Sequence, residues 1–227
     1  MNPTPEKTSV MAPFILMLFL YFIVGLFTVI NQQFQVPLKS ALLPHDGNMT
    51  NALVTLLNFS WFLAYPFSEG FATRWVDRLG YRKTSVYSLL IFIAGLGFYE
   101  AAVLLHIYAP SYITIMGNPI FTGFFVFLSG SFVIGMAVTI LQVVTGLYLD
   151  VNPVGKTTPL QRQMIGGTTN SIGMAIGPLV VSYIIFYGIP LHNIQSREFI
   201  WPVICLIAII CIFTLITARI KMPAINV

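Results

Sequence analysis

Amides and hydroxyls recur at helical spacing inside segments that are otherwise apolar. Tyr21, Gly25, Thr28, Gln32 and Gln35 follow one another at intervals of four, three, four and three, and Asn31 stands beside Gln32. Ser131, Gly135, Thr139, Gln142 and Gly146 repeat at four, four, three and four. Asn58, Trp61 and Tyr65 share one face of another apolar stretch, and Gly166, Asn170, Gly173 and Gly177 one face of a fourth. Polar groups in hydrocarbon are costly unless they meet a partner or line a cavity. As helix glue, each hydrogen bond contributes about 0.6 kcal/mol. As cavity lining, amides suit a polyhydroxylated solute, because they donate and accept at once, and an aromatic ring offers a flat apolar face. Asn170, flanked by glycines, reads as glue first and as a further substrate-binding group second. Gln142 and Asn31 read as cavity lining, with Thr28, Gln32, Asn58 and Thr139 as further hydrogen-bonding groups and Trp61 or Tyr65 as the stacking surface.

Other chemistry finds little support. No Ser/His/Asp or Cys/His arrangement is suggested, and His45, His106 and His192 have no metal-ligand spacing, so neither an enzyme nor a metal site is expected. Gly95-Leu96-Gly97 lacks the third glycine of a dinucleotide loop and lies in an apolar run, so no cofactor is expected. Cys205 and Cys211 are about 9 Å apart along a helix, too far to bridge. Glu69 lies within reach of Arg74 or Arg162. It reads as a structural ion pair or, alternatively, as a protonatable coupling group. Glu100 is expected at the outer interface, in water.

Composition names the solvent. The chain is 57% hydrophobic and 8% charged, with a mean hydropathy of +0.86, where soluble domains carry roughly a quarter charged residues. Six apolar runs are long enough to span a bilayer, at about 13–35, 51–73, 83–105, 119–149, 164–188 and 199–218, making residues 1–227 one transmembrane domain. With the N-terminus in the cytoplasm, Lys7, Arg74, Arg78, Arg82, Lys83, Lys156, Arg162, Arg219 and Lys221 lie inside, and only Lys39 and Arg197 outside. The positive-inside rule therefore predicts both termini in the cytoplasm. The net charge of +4 is a topology signal and not a nucleic-acid footprint.

The densest charge falls at Thr73-Arg74-Trp75-Val76-Asp77-Arg78-Leu79-Gly80-Tyr81-Arg82-Lys83. Here Gly80 permits a tight reversal, Asp77 sits near a helix end, and Arg78, Arg82 and Lys83 suit an anionic membrane surface. The stretch resembles the cytoplasmic loop motif of the major facilitator superfamily, G-x-x-x-D-R-x-G-R/K-R/K, with Thr73 in place of its first glycine. Tyr21, Gly25, Thr28, Asn31, Pro37 and Lys39 are similar to the first span of that superfamily's fucose and glucose/galactose permeases. Ala64-Tyr65, Leu141-Gln142-Val143, Arg162, Asn170-Ser171-x-Gly173 and Lys221-Met222-Pro223 fit as well. Both carboxylates that the fucose-permease pattern associates with proton coupling are amides here, at Gln32 and Gln142.

The resemblance implies an all-α membrane fold: one six-helix half of a transporter, built from two inverted three-helix repeats. It implies a symporter-type secondary transporter in a bacterial inner membrane, moving a small polar solute such as a hexose or deoxyhexose. Asp77, Arg78, Gly80, Arg82 and Lys83 would gate its cytoplasmic side. Gly173-Met174-Ala175-Ile176-Gly177-Pro178 resembles the core of the superfamily's antiporter motif, which keeps a drug or metabolite antiporter in view. The sequence stops soon after the sixth apolar run. The partner expected besides lipid and solute is therefore a second six-helix half, either a missing C-terminal portion or another subunit, without which the chain would be inactive.

Overall fold

The computed structural model describes residues 10–43, 48–115 and 117–222. Among them, five helices are long and apolar enough to cross a membrane, and the chain is an all-α membrane protein apart from one short hairpin. The helices are α1 (Met11–Gln33), α2 (Gln35–Leu42), α3 (Asn48–Tyr108), α4 (Gly123–Val151), α5 (Pro159–Leu179) and α6 (Ile200–Arg219). Strands β1 (Tyr112–Ile115) and β2 (Asn118–Phe121) pair antiparallel between α3 and α4, with Tyr112 opposite Phe121.

The expected second and third apolar runs both lie in α3, which is 61 residues long but not straight. Gly80 has φ 77° and ψ 167°, a conformation essentially restricted to glycine. It divides the element into a first arm, 48–79, and a second arm, 81–108. Asn58 and Tyr99 both bond the same side chain, that of Asn31. A straight helix would hold them about 61 Å apart at 1.5 Å per residue, so the arms fold back on each other. Trp75 and Tyr87, rings 6.2 Å apart across the turn, close the same reversal.

Prolines account for the other interruptions. Pro37 offers no N–H to the carbonyl of Gln33, and the first helix gives way there to α2, with Phe34 as the joint. Pro178 does the same to α5, which continues as a π-helical turn over Val180–Ile185. Helix α5 begins at Pro159, five residues before the expected start. Thr158 Oγ1 accepts from Gln161 N–H at 3.2 Å and Gln161 Oε1 from Thr158 N–H at 2.9 Å, a reciprocal cap. Hydropathy predicts helix in the fourth run from 119. Residues 118–121 are instead strand, because Gly117, at φ 80°, turns the chain back onto β1.

Helix α4 packs along α3 and is deeply enclosed, with Ala137, Val138, Ile140, Leu141 and Val144 fully buried. Helix α1 packs chiefly on α5. Their approach is close: a methyl group at Gly173 would run into the Phe22 carbonyl, and one at Gly25 into that of Asn170. Small residues are what permit such helix contact in a membrane, as the glycine spacing suggests.

The two ends of the bundle differ in charge. Arg74, Arg78, Arg82 and Lys83 flank Gly80. Lys156 and Arg162 lie at the α4–α5 connection, which the Tyr81–Tyr148 ring contact at 5.3 Å brings to the same end. Arg219 ends α6 and Lys221 follows it. The hairpin end carries Lys39 and Arg197. There Ser196 Oγ donates to the Ala41 carbonyl at 3.0 Å and meets His106 Nδ1 at 2.8 Å, joining α2, α3 and the approach to α6.

Replacing Gly80 with alanine forces a non-glycine residue into this backbone conformation and should cost about 1–3 kcal/mol. Thermal unfolding in detergent should show a lowered midpoint for Gly80→Ala and an unlowered or slightly raised one for Gly97→Ala, an exposed helical glycine with open space around it.

Candidate functional site

Each polar side chain of the stripes either spends its hydrogen-bonding capacity inside the chain or keeps it. Asn31 spends it on three partners. Its Nδ2 donates to Asn58 Oδ1 at 3.3 Å, and its Oδ1 accepts from Tyr99 OH and from Ser131 Oγ, both at 3.0 Å. Ser131 Oγ also lies 3.1 Å from the Leu57 carbonyl. One amide thus joins α1, both arms of α3 and α4. Asn31 is 3% exposed, and the void beside it measures about 10 Å³, room for a water at most. Expected as cavity lining, it is a clamp in this structure.

Several other candidates are likewise engaged. Thr139, 1% exposed, bonds back to the Gly135 carbonyl at 2.8 Å, and Thr28 to that of Val24 at 2.8 Å. Asn170 donates to the Tyr21 carbonyl at 3.0 Å, the glue role, so the side chain read also as substrate-binding is committed between helices. Trp61 is 1% exposed, so no solute can stack on its ring; its backbone carbonyl and Ala64 form the bed for Gly135. Its Nε1 is buried and meets no geometric hydrogen-bond partner among the described residues. Half-buried Tyr65 keeps an accessible ring, its hydroxyl near Trp61, Thr28 and Tyr21.

The unspent groups are Gln32, Gln35, Asn51 and Gln142, whose side chains make no hydrogen bond among the described residues. Gln32 and Asn51 are exposed on the isolated chain, Gln35 and Gln142 half-buried. They do not converge on one point. Ser131 is level with Asn31, and Gln142 is eleven residues further along α4, about 16 Å of helix rise. Gln32 and Gln142 thus stand at two levels along the bundle axis, and by helix rise Thr28 and Tyr65 fall between those levels.

The acids depart from expectation. Glu69 is exposed near Tyr65, and no ion pair joins it to Arg74 or Arg162 among the described residues. Arg162 is committed elsewhere. At 2% exposed, it donates from Nε to the Leu149 carbonyl at 2.6 Å and from its terminal nitrogens to Thr157 and Asp150 carbonyls, both at 2.7 Å. Two of those carbonyls belong to the last turn of α4, the negative end of its dipole, which supplies what a carboxylate would otherwise give. Glu100 is not in open water: it is half-buried, with one carboxylate oxygen enclosed and without a hydrogen-bond partner among the described residues. In the loop motif, Asp77, Arg78, Arg82 and Lys83 are exposed around Gly80, while Tyr81 is buried.

Sequence reasoning passes over Tyr99 and Ser131 as members of the Asn31 cluster and misses the position of Asn51. Asn51 and Thr55 stand one helical turn apart and line an open cleft with Gln35 and Lys39, a spacing visible in the sequence.

Asn31→Ala removes three side-chain hydrogen bonds and should destabilise the bundle by about 2 kcal/mol at membrane values. Gln142→Ala, at a side chain without protein partners among the described residues, should leave the unfolding midpoint essentially unchanged. Equal losses from the two variants would contradict the division into spent and unspent amides. No protein family, curated protein or solved structure matches this chain.

Proposed function

We propose that this chain is one half of a secondary transporter of the major facilitator type, carrying a small polar solute by alternating access. The solute class is a hexose or deoxyhexose. The observation that carries the reading is Gln142: a half-buried amide in the middle of an apolar helix, with no hydrogen-bond partner among the described residues. Such an amide is expensive in hydrocarbon, and a face that carries it is suited to water and solute. Gln32, Tyr65 and Thr28 extend that face toward the hairpin end.

In this reading the face is covered by a second six-helix bundle, and the two bundles rock about the track between them. Inverted three-helix repeats would supply the symmetry of that motion. The end rich in arginine and lysine faces the cytoplasm, as the positive-inside rule directs, and the membrane is a bacterial inner membrane. The turn at Gly80 then presents Asp77, Arg78, Arg82 and Lys83 to the second bundle as a gate. Amides at Gln32 and Gln142 leave Glu69 as the acid on this face for any proton coupling.

A drug or metabolite antiporter of the same superfamily is the competing reading, favoured by Gly173 and Gly177, whose glycine-mediated packing on α1 matches the antiporter-motif core. Uptake of labelled hexoses by cells expressing the gene in its native context separates the two. The expected result is saturable uptake of at least one hexose, reduced about tenfold or more by Gln142→Leu, the loss of one or two good hydrogen bonds. Uptake unaffected by Gln142→Leu, or no uptake of any hexose, defeats the sugar reading. Glu69→Gln should abolish any dependence of uptake on external pH.

A further inference from the structure

Away from the Gln142 level, the hairpin end of the bundle holds an open cleft of about 760 Å³ between α2 and the start of α3. That volume lies within the range of small-molecule sites. Gln35 and Lys39 line one wall, one turn apart, and Asn51 and Thr55 the other, also one turn apart. Val36 and Val54 supply apolar surface between them. Among the described residues, no acidic side chain lines the cleft.

Two features separate this cleft from the deeper track. Beneath it, Asn31 and Asn58 lie one helical turn from Gln35 and Val54 and are hydrogen-bonded to each other at 3.3 Å, outside the cleft's lining. Its amides are unspent, whereas those of the Asn31–Asn58 pair are not. Gln35 and Asn51 make no side-chain hydrogen bond among the described residues, and Thr55 bonds its own helix, to the Asn51 carbonyl at 2.9 Å. Ser40 Oγ holds the His192 carbonyl at 2.6 Å, so the rim on that side is fixed by a bond between α2 and the loop before α6.

We propose that this cleft is a separate capture site, which binds a sugar by its vicinal hydroxyls before the solute reaches the Gln142 level. Gln35 and Asn51 grip from opposite walls with donor and acceptor together, and the two valines meet the ring's C–H face. The inference takes its ligand class from the transport reading, but its site stands apart from the residues on which that reading rests. The Asn31–Asn58 bond keeps the captured sugar at the mouth of the α1–α3 seam.

The test is protection of an introduced thiol. Val36, 48% exposed and on the cleft wall, is replaced by cysteine in a chain carrying Cys205→Ala and Cys211→Ala. The chain is placed in lipid nanodiscs and labelled with a charged maleimide. D-galactose, D-glucose and L-fucose are added in turn at tens of millimolar, with betaine as the osmotic control. At least one sugar is expected to slow labelling of Val36→Cys severalfold, and betaine to have no effect. Protection should persist when Gln142→Leu is added and vanish when Asn51→Leu or Thr55→Val is added. Loss of protection on Gln142→Leu would place the bound sugar at the deeper level and overturn the proposal. No protection by any of the three sugars overturns it as well. Protection without hexose uptake leaves the cleft standing and removes the sugar-transport reading. Uptake without protection does the reverse.

Discussion

Everything in this bundle is arranged around one amide that has no water to turn to. In hydrocarbon an unpaired side-chain amide is too costly to keep, so Asn31 must be enclosed by partners that arrive from other helices. It receives them from Asn58, Tyr99 and Ser131, one from each arm of α3 and one from α4. Those three can meet only if α3 doubles back, and it doubles back only where a glycine accepts φ 77°. The turn at Gly80 and the cluster at Asn31 are therefore conditions of each other, although about 33 Å of helix rise separates Asn58 from the turn. Aromatic rings fill the space around the cluster. Tyr99 stacks on Phe127 at 3.7 Å, and Phe34, Phe186 and Phe199 meet edge to face or tilted beside it.

The sequence discloses the stripes and hides their allocation. Periodicity locates Asn31, Thr139, Asn170 and Gln142 on helix faces, since spacing is a property of one helix alone. Whether an amide is spent depends on what a second helix brings to it, and one chain's spacing holds no record of that. Asn31 and Gln142 look equally suited to lining a cavity. One proves to be bonded three times and the other not at all among the described residues. Asn170 is the easier case, because glycines at its flanks already signal close helix contact. Glu100 shows the same limit from the other side: helix rise places it near the interface but cannot tell which way it faces.

Boundaries follow a similar logic. The turn at Gly80 is legible because charge, glycine and the ends of two apolar runs coincide there. The β1–β2 hairpin is not, since Tyr112 to Phe121 is apolar enough to blend into the run that follows, and Pro119 resembles a helix start. The early beginning of α5 is written in Thr158-Pro159-Leu160-Gln161, a proline followed by a reciprocal cap, but hydropathy alone overlooks a polar first turn.

Arg162 sets a mechanical asymmetry. Its bonds to the Leu149 and Asp150 carbonyls, together with Gln163 Nε2 donating to the Gly146 carbonyl at 2.8 Å, rivet the start of α5 to the end of α4 at the charged end of the bundle. At the opposite end α5 loses its regular ladder after Pro178 and loosens into a π-helical turn. The helix is thus fastened to α4 by hydrogen bonds at its root, while at its tip the apolar packing of Val181, Ile185 and Phe186 holds a segment whose ladder has changed register.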